Sequence, residues 1–381
     1  MNKIDRRRIG VNLLWLVPGE VGGSEEYSVR LLSAFADSGF DDIEVILYVN
    51  QRFVGAYPDL MDRFTTRVAP ISGSSRLLRV LVESTWLAAW SRMDHCDLLH
   101  HAGGTMPTFR TVPGVITMHD LQPLANPERF GLIKGTYIRL IAPRSIRNAD
   151  RVLCLSEFVA NDVVTRVGID RSLLRIVPCG VSDPGAAFDH VRCDELLTAL
   201  GLTDRPFILY PAITYPHKNH ITLVAAFARL SETRPDLRLV LTGGSGPCED
   251  VVIATIDAYG LSPRVIRTGR IPESDLDLLY RSAAVMAFPS SYEGFGVPML
   301  EAMSRGCPIV ASRIGALPDV VGDAGEFVDP LDVRGWADAV GHLIDSPDRR
   351  AELSRDGFQR SRLFSWPASA AALHAIYKED R

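Results

Sequence analysis

Short apolar runs alternate with amphipathic stretches of about 10 to 18 residues along the whole chain, and no other feature constrains the fold as strongly. This alternation predicts βαβ units, in which helices connect the parallel strands of a sheet. The pattern occurs twice, so we predict an α/β fold with two doubly wound sheets. The predicted strands are Ile9 to Leu16, Ile43 to Tyr48, Asp97 to His100, Gly114 to Met118, Val152 to Leu155 and Arg175 to Val177 in the first half, then Phe207 to Tyr210, Leu237 to Thr242, Val265 to Arg267, Val285 to Phe288 and Ile309 to Ala311.

The length of 381 residues is consistent with two domains of ordinary size. Turn-forming residues cluster between Pro178 and Pro206, where the first series of strands has ended and the second has not begun. We therefore place the domain boundary in that stretch. After Pro330 the pattern is helical, and the last predicted helix runs from Pro367 to Lys378. Ligands of such sheets bind outside the carboxyl ends of the strands, so we look for functional residues there.

Composition and charge exclude several other classes of protein. Hydrophobic residues make up 46% of the chain and charged residues 23%, which is typical of a folded globular protein. The net charge of -5 disfavours a nucleic-acid binder that depends on an overall positive field. The six cysteines are widely spaced and include no C-x-x-C pair, so we predict neither a zinc site nor a disulfide framework, and expect a reducing compartment. The apolar run from Val11 to Val17 is too short for a membrane-spanning helix.

The most informative loop follows the fourth predicted strand of the second half. It contains Glu293, Gly294 and Gly296, and it leads into a helix at Pro298, a residue favoured at the first helical position. Free backbone N–H groups and the positive end of the helix dipole would face this loop, which predicts a phosphate site. Glu301 lies about one turn inside the helix, so two carboxylates would flank a diphosphate that connects hydroxyl-rich rings. The alternative is a capped helix with solvated acidic residues.

A second candidate is Lys218, which follows the first strand of the second half and precedes a helix predicted from Ile221 to Thr233. It should lie at the same edge of the sheet as the glycine-containing loop. A lysine at that edge would neutralise the charge of a diphosphate. A solvated lysine at the start of a helix is the alternative.

Two loops of the first half carry weaker signals. Gly22 and Gly23 follow the first strand and permit a ligand to approach the main chain, but the absence of a G-x-G-x-x-G motif disfavours a dehydrogenase. His119 follows a predicted strand directly, where its ring could hydrogen-bond a sugar hydroxyl. A purely structural histidine is the alternative, as it is for His100 and His101.

The D-x-D pattern of Asp275 and Asp277 is similar to motifs that hold a divalent ion on a nucleotide diphosphate. Both residues, however, lie where the acidic first turn of a helix from Glu273 to Ser282 is predicted. We therefore assign no metal site to them.

Together these segments resemble glycosyltransferase family 4, the retaining glycosyltransferases of GT-B architecture, over almost the whole chain. The residues from Glu293 to Glu301 match that family's E-x7-E element. The other matching segments occur in the family's order and are Gly22-Gly23, His119-Asp120, Ser156-Glu157-Phe158, Val177 to Val181, His217-Lys218-Asn219 and Thr268-Gly269-Arg270. A mannosyltransferase-like subgroup of bacterial polysaccharide and O-antigen transferases is similar in the segments His119 to Gln122 and Pro216 to Asn219.

The resemblance implies two Rossmann-like domains that face a cleft. Residues 1–182 would form the acceptor-side domain and residues 183–363 the domain that binds the nucleotide sugar, while the helix in residues 364–381 would cross back to the first domain. The implied catalytic residues are His119, Lys218 and Glu293, and the implied donor-binding residues are Gly22, Gly23, His217, Thr268, Gly269, Arg270, Ile271, Gly294, Phe295, Gly296, Val297 and Glu301.

Individual roles follow from the same resemblance. Lys218 would bind the diphosphate, and Glu293 would bind the donor sugar together with the backbone that follows it. Glu301 would hold the ribose of the nucleotide. The stretch from Thr268 to Ile271 would line the pocket for the base, and His119 would contact the donor sugar from the first domain.

Two positions depart from the family pattern. Many members carry an arginine a few residues before the lysine, where this chain has Ala212, Ile213 and Thr214. Lys218 would then offset the charge of the leaving group with less help. The usual asparagine of the I-P-N-G-V element is Cys179. We interpret the first departure as a subgroup trait, since the lysine, the glycines and both glutamates remain.

The function implied by the resemblance is transfer of a hexose, of the mannose or glucose type, from a nucleoside-diphosphate sugar to a hydroxyl of a glycan or lipid-linked acceptor. The transfer would retain the anomeric configuration, require no metal or other cofactor, and serve polysaccharide or lipopolysaccharide biosynthesis. Two alternatives stay open, a catalytically silent subunit that binds nucleotide sugars and supports a partner transferase, and a GT-B sugar-nucleotide epimerase.

The expected location is the cytoplasm, with a peripheral contact at the inner face of the cytoplasmic membrane as a further expectation. The stretches that would attract anionic lipid are Arg6 to Arg8, Arg76 to Arg92 and Lys134 to Arg147. Solvated helix faces are the alternative to such a contact.

Overall fold

A computed structural model describes residues 6–20, 22–107, 110–126, 132–182 and 188–379. The chain divides into two compact units. Unit 1 contains the described residues up to Gly180 together with those from Trp366 onward, and unit 2 runs from Val181 to Ser365. Residues 183–187, where the second domain was expected to begin, lie outside the described residues.

Unit 1 is built on one parallel sheet. Its strands are β1 (Arg7–Leu13), β2 (Ile43–Val49), β3 (Thr65–Val68), β4 (Leu98–His101), β5 (Gly114–Met118), β6 (Arg151–Cys154) and β7 (Leu174–Ile176). They are arranged in the order β3-β2-β1-β4-β5-β6-β7. The helices of the unit are α1 (Gly23–Asp37), α2 (Gln51–Ala56), α3 (Pro58–Arg63), α4 (Arg76–Val82), α5 (Ala88–Met93), α6 (Gln122–Ala125), α7 (Leu132–Asn148) and α8 (Glu157–Val167). A π-helical turn, Glu83–Leu87, joins α4 to α5, and a 3-10 turn spans Arg171–Leu173.

Unit 2 contains a second parallel sheet. Its strands are β8 (Phe207–Pro211), β9 (Arg238–Thr242), β10 (Val265–Gly269), β11 (Val285–Phe288), β12 (Ile309–Ser312) and β13 (Glu326–Val328), in the order β10-β9-β8-β11-β12-β13. Its helices are α9 (His190–Ala199), α10 (His220–Thr233), α11 (Glu249–Ala258), α12 (Glu273–Ser282), α13 (Val297–Ser304), α14 (Leu317–Val321), α15 (Val333–Asp345) and α16 (Pro347–Ser361). The last helix of the chain, α17 (Trp366–Lys378), belongs to unit 1. The predicted pair of doubly wound sheets is confirmed.

The central strands were predictable because helices cover both faces of a parallel sheet, which makes each strand a continuous apolar run. All residues of β5, β11 and β12 are buried, for example. The prediction missed β3 and β13, which lie at sheet edges and carry polar, partly exposed residues. Short polar edge strands lack the apolar signal on which the prediction depends.

Helix α17 is fastened to unit 1 by both packing and polar contacts, and it packs against α1. The ring of Tyr377 is fully buried, and its hydroxyl lies 2.7 Å from Nδ1 of His100. Just beyond the helix, the carboxylate of Glu379 accepts hydrogen bonds from Arg151 at 2.8 Å and from Arg175 at 2.7 Å. These contacts tie the end of the chain to strands β4, β6 and β7.

His100 and His101 are structural residues in this arrangement. The second ring nitrogen of His100 lies 2.7 Å from the hydroxyl of Thr117, so both nitrogens have partners. Nδ1 of His101 lies 3.2 Å from the side-chain nitrogen of Asn12. Burial lowers the pKa of each histidine to about 3, so both rings are neutral at neutral pH.

All six cysteines are free thiols, and five of them are buried. Among the described residues, no helix is long and apolar enough to cross a membrane.

We expect Tyr377→Phe to lower the free energy of unfolding by about 1–3 kcal/mol, because the change leaves a nitrogen of the buried His100 ring without its partner. Tyr259 is 52% exposed in unit 2, so Tyr259→Phe is a matched control that should have little effect. Urea unfolding of both variants measures the difference. Equal effects would show that the hydroxyl of Tyr377 does not fasten α17.

Candidate functional site

The functional residues predicted in the second half lie at the carboxyl edge of the unit 2 sheet, in the loops and at the ends of the elements that the loops connect. Strand β8 lies between β9 and β11, so the loops that follow these strands are neighbours. We call residues 212–219, after β8, the lysine loop, and residues 289–296, after β11, the glycine loop. The lysine loop ends in a 3-10 turn, Pro216–Lys218, directly before α10.

Asn219 joins the two loops. Its backbone has a left-handed conformation with φ of 53°, and its side-chain nitrogen donates to the carbonyl of Pro289 at 3.1 Å and to that of Pro330 at 2.6 Å. A backbone bond from Ser291 to the carbonyl of His217, 2.7 Å long, adds a second connection. The lysine loop and the glycine loop are therefore held in a fixed register.

This register brings together two of the predicted catalytic side chains. Nζ of Lys218 lies 2.5 Å from Oε1 of Glu293, and these side chains are only 18% and 12% exposed. The ammonium group also lies 5.1 Å from the centre of the Phe288 ring, within the range of a cation–π contact. The lysine is thus oriented by one carboxylate and one aromatic ring.

The phosphate site predicted from the sequence lies where the glycine loop enters α13. Gly296 precedes the helix with φ of 93°, and no side chain caps the first turn within the described residues. Pro298 has no N–H and Met299 donates its N–H to the carbonyl of Gly296 at 2.9 Å, so the first turn offers a ligand the N–H of Val297. The helix dipole favours a negative charge at the same place. The sequence predicted Pro298 at the first position of the helix. The helix instead begins at Val297, so Pro298 occupies its second position.

Glu301 is oriented by a residue that the sequence analysis did not single out. The hydroxyl of Tyr280, on α12, donates to Oε2 of Glu301 at 2.8 Å. Burial, followed by the neighbouring charge of Glu301, raises the pKa of Tyr280 well above its usual value, so the phenol stays protonated as a donor. Tyr280 thus fixes one oxygen of the carboxylate.

Gly315 is a second residue that the sequence analysis missed. It has φ of +60°, and a Cβ at this position would lie 2.3 Å from the carbonyl oxygen of Glu293. The next residue, Ala316, donates its N–H to that same carbonyl at 3.1 Å. The loop after β12 therefore supports the backbone of Glu293 closely, and only glycine leaves room for that approach.

Phe295 and His217, for which the resemblance implies contacts with the donor, both contact neighbouring aromatic rings. The side chain of Phe295 is buried, with its ring 5.9 Å from that of Phe364, so only its backbone is available to a ligand. The ring of His217 stacks against that of Tyr215 at 5.8 Å.

The stretch from Thr268 to Ile271 lies at the end of β10, beside the loop that follows β9. Gly269 has φ of +67° and lies in open space, and the register of β10 with β9 shifts just before it. The hydroxyl of Thr268 donates to the carbonyl of Gly269 at 3.0 Å. Arg270 is exposed and Ile271 is half-buried.

In unit 1, His119 follows β5 and is oriented by the main chain. Its Nε2–H donates to the carbonyl of Ala102 at 2.9 Å, which leaves Nδ1 as the hydrogen-bond acceptor. The ring contacts Tyr27 edge-on at 5.3 Å and lies 6.1 Å from that of Trp15. Burial lowers the pKa of His119 to about 4. Nδ1 of His119 and Nε1 of Trp15 are both buried without a hydrogen-bond partner among the described residues.

Gly22 and Gly23 lie at the start of α1, also in unit 1. Gly22 has φ of +68° and immediately precedes the helix, and a Cβ on either glycine would meet open space. Glu25, in the first turn of α1, accepts the N–H of Gly19 at 3.0 Å. The expected close approach of a ligand to this backbone is therefore unobstructed by neighbouring side chains.

The carboxylates of the D-x-D pattern have arginine partners. Asp275 pairs with Arg192 at 3.0 Å, and Asp277 pairs with Arg281 and with Arg305, each at 2.7 Å. Within the described residues, no group of three or more metal-ligating side chains is found.

Comparisons with known proteins agree with this fold. The family model described as Glycosyltransferase Family 4 matches residues 21–183, and that described as Glycosyl transferases group 1 matches residues 195–360. The chain is 27% identical over 365 residues to O-antigen chain mannosyltransferase B of Escherichia coli, covering 93% of this chain and 96% of that protein. It is 36% identical over 306 residues to D-inositol 3-phosphate glycosyltransferase of Corynebacterium efficiens, covering 74% and 71%.

Among solved structures, that of Anabaena HepE in complex with UDP and glucose has a TM-score of 0.75 at 19% sequence identity, over 98% of this chain and 100% of that chain. The fold is therefore that of the GT-B glycosyltransferases. The chain belongs to glycosyltransferase family 4.

We expect Gly315→Ala to lower the rate of glycosyl transfer by about tenfold or more, because the new methyl group would displace the backbone of Glu293. Gly260 provides a matched control. It has φ of +65° with nothing within 4 Å, so Gly260→Ala carries the same backbone strain without the steric contact. Transfer rates normalised to folded protein measure the difference, and equal losses in both variants would contradict the role assigned to Gly315.

Proposed function

We propose that this protein is a retaining glycosyltransferase that moves a hexose, of the mannose or glucose type, from a nucleoside-diphosphate sugar to a hydroxyl of a glycan or lipid-linked acceptor. The names of its relatives support a role in glycan biosynthesis, since one is an O-antigen chain mannosyltransferase. The complex of Anabaena HepE with UDP and glucose supports a nucleotide-sugar donor.

The observation that carries the proposal is the Lys218–Glu293 pair beside the open N-terminus of α13. A lysine and a helix N-terminus provide two sources of positive potential for a diphosphate. Glu293 can accept hydrogen bonds from sugar hydroxyls once the lysine turns to phosphate. Glu301, fixed by Tyr280, is placed about one turn further along α13 to accept from ribose hydroxyls.

In the proposed reaction, the bond between the anomeric carbon and the phosphate oxygen breaks, and the sugar becomes oxocarbenium-like. The acceptor hydroxyl attacks from the face that the diphosphate leaves, and its proton passes to the departing phosphate oxygen. The protein then has to stabilise the charge on the diphosphate, which Lys218 and the positive end of the α13 dipole, with the N–H of Val297, would do. No carboxylate is needed as a covalent nucleophile.

The remaining features fit the same reaction. Nδ1 of His119 is an unprotonated acceptor without a partner in the described residues, as suits a contact with a hydroxyl of the donor sugar. We propose that no metal is required. In support, the Asp275 and Asp277 carboxylates are occupied by arginines, and the positive charge for the leaving group comes from the protein.

Two experiments test this function. A thermal-shift screen with UDP-, GDP- and ADP-sugars should raise the melting temperature with one class of donor, because a ligand bound only by the folded state stabilises it. Product analysis then separates the alternatives. Slow release of nucleoside diphosphate supports the transferase, binding without release indicates a silent subunit, and a changed donor sugar without acceptor indicates an epimerase.

We expect Lys218→Ala to reduce transfer by about 10²–10³-fold, because it removes a charge that stabilises the leaving group. Glu293→Gln should also slow transfer, yet bind the free nucleoside diphosphate about two- to tenfold more tightly, because Lys218 would no longer be shared with a carboxylate. Calorimetry and initial rates measure both effects. Unchanged transfer in both variants, together with unchanged diphosphate binding in Glu293→Gln, would contradict the assignment.

We also propose a peripheral contact with anionic membranes through helix α4. Leu77, Leu78 and Leu81 are 86%, 45% and 58% exposed, which is unusual for three leucines on one short helix. Arg76, in the first turn, is exposed as well, while the nearby acid Glu83 is buried. An apolar ridge beside exposed positive charge suits the interface of an anionic bilayer.

The first of the other two basic stretches supports such a contact less well, whereas the stretch from Lys134 to Arg147 is mixed, because Arg139 and Arg144 are exposed while Arg147 is engaged within the protein. Arg7 donates to the carbonyl of Glu379 at 3.2 Å, and Arg8 pairs with Glu44 at 3.0 Å, so both are engaged within the protein. Arg147 donates to the carbonyl of Val167 at 3.0 Å. The side chain of Lys134 lies outside the described part of the chain.

We expect Leu81→Glu to weaken binding to phosphatidylglycerol vesicles by about tenfold, because it removes apolar area and adds a like charge. Leu331, which is 72% exposed in unit 2, provides the matched control Leu331→Glu. Sedimentation at low and high salt measures the binding, which should weaken with salt. Wild-type protein that stays in the supernatant at low salt would exclude the contact.

A further inference from the structure

The lysine loop has no cation besides Lys218 and the titratable His217, at a site proposed to bind two phosphates. Ala212 and Ile213 are apolar, and Thr214 is committed to building the loop. The hydroxyl of Thr214 donates to Glu249 at 2.7 Å and accepts the N–H of Gly246 at 2.7 Å. A second cation for a diphosphate therefore has to come from another element.

Three successive loops lie side by side at this edge of the sheet. The N–H of Ala212 donates to the carbonyl of Thr242 at 2.8 Å, and the N–H of Gly243 donates to the carbonyl of Gly269 at 2.9 Å. Neighbouring strands are about 4.8 Å apart, so the end of β10 lies about 10 Å from the lysine loop. The loop after β9, residues 243–248, lies between them. A long side chain from the end of β10 can cover most of that distance.

Glycines in the intervening loop leave the space that such a side chain needs. A Cβ on Gly244 would lie 2.9 Å from Nε of Arg270 and 3.7 Å from one of its terminal nitrogens, so the arginine side chain lies across Gly244. A Cβ on Gly243 would lie 2.5 Å from the carbonyl oxygen of Ala212, which shows how closely this loop adjoins the lysine loop. Arg270 thus reaches from the β10 loop onto the β9 loop, beside the segment without a cation.

In the part of the chain that the structure describes, no carboxylate pairs with Arg270. Its neighbour on β10, Arg267, pairs with Glu249, and Arg264 donates to the carbonyl of Ser231 at 2.7 Å. By contrast, Arg270 is exposed and takes part in no hydrogen bond or ion pair within the described residues. A guanidinium that is close to a predicted anion site and has no protein partner is free to bind one.

We propose that Arg270 supplies the second cation for the diphosphate, in the place of the arginine that the lysine loop lacks. Its planar guanidinium can bind two oxygens of a phosphate at once, while Lys218 acts on the same leaving group from β8. This assignment rests on the proposed function and differs from a contact with the base, which the family resemblance implied for this stretch. Arg270 would then stabilise the leaving group rather than select the nucleotide.

Nucleotides that differ in one phosphate test the assignment. Calorimetry with UDP, GDP and ADP identifies the base that the wild-type protein prefers, and a separate titration with each monophosphate gives the affinity for the nucleotide with one phosphate fewer. For that base, Arg270→Gln should weaken diphosphate binding by about 10- to 100-fold, the cost of one charge-assisted contact, and monophosphate binding by less than about threefold. Arg334, which is 81% exposed on α15, provides the matched control Arg334→Gln, which should change neither.

The possible results separate this assignment from the proposed function. If Arg270→Gln weakens di- and monophosphate binding equally, the residue contacts the nucleoside, and the assignment is wrong. If Arg270→Gln has no effect while Lys218→Ala abolishes diphosphate binding, the assignment is wrong and the proposed function stands. If the wild-type protein binds none of the three diphosphates, the proposed function fails and this assignment fails with it.

Discussion

The geometry of the candidate site in unit 2 depends on the side-chain amide of Asn219. This residue ends the lysine loop, adopts a left-handed conformation and donates to two carbonyls, those of Pro289 and Pro330. Those carbonyls belong to segments far apart in the sequence, so one amide fixes three pieces of chain. Without it, the loops after β8 and β11 would keep the backbone bond from Ser291 to His217 but would lose the connections through Pro289 and Pro330. The contact between Lys218 and Glu293 requires the register of the two loops.

The Lys218–Glu293 pair explains how a half-buried lysine is stabilised within the protein. A lysine that is 18% exposed, without a partner, would carry a desolvation cost, and the carboxylate of Glu293 offsets it. A diphosphate would compete with that carboxylate for the lysine. Under the proposed function, binding of the donor would exchange one ion pair for another and would release Glu293 for neutral hydroxyls. The same exchange would limit how tightly a diphosphate binds, which would favour release of the product.

Much of this arrangement could be predicted from the sequence. The residues that could not be predicted were missed for physical reasons that can be stated. The central strands were predicted because burial on both faces makes them apolar, and the proximity of Lys218 to Glu293 follows from parallel strands that share a carboxyl edge. Gly315 and Tyr280 were missed because they approach the two glutamates from other elements. No spacing along the chain encodes such contacts, which depend on how loops and helices pack. The edge strands β3 and β13 were missed because exposure removes the apolar pattern.

His119 in unit 1 and Lys218 in unit 2 would offer different chemistry to the proposed reaction, because the first is a buried neutral ring and the second is ion-paired with a carboxylate. In unit 1, burial lowers the pKa of His119 to about 4, below its usual value of 6.5, so the ring is neutral at any pH well above 4. The unfolded chain therefore binds this proton more readily than the folded one, and stability falls as the pH drops from about 6.5 towards 4. Near neutral pH neither the charge nor the acceptor nitrogen of His119 changes. A neutral acceptor suits sugar hydroxyls, whereas the charged Lys218 of unit 2 suits phosphate, so each unit carries the polarity that its proposed ligand group needs.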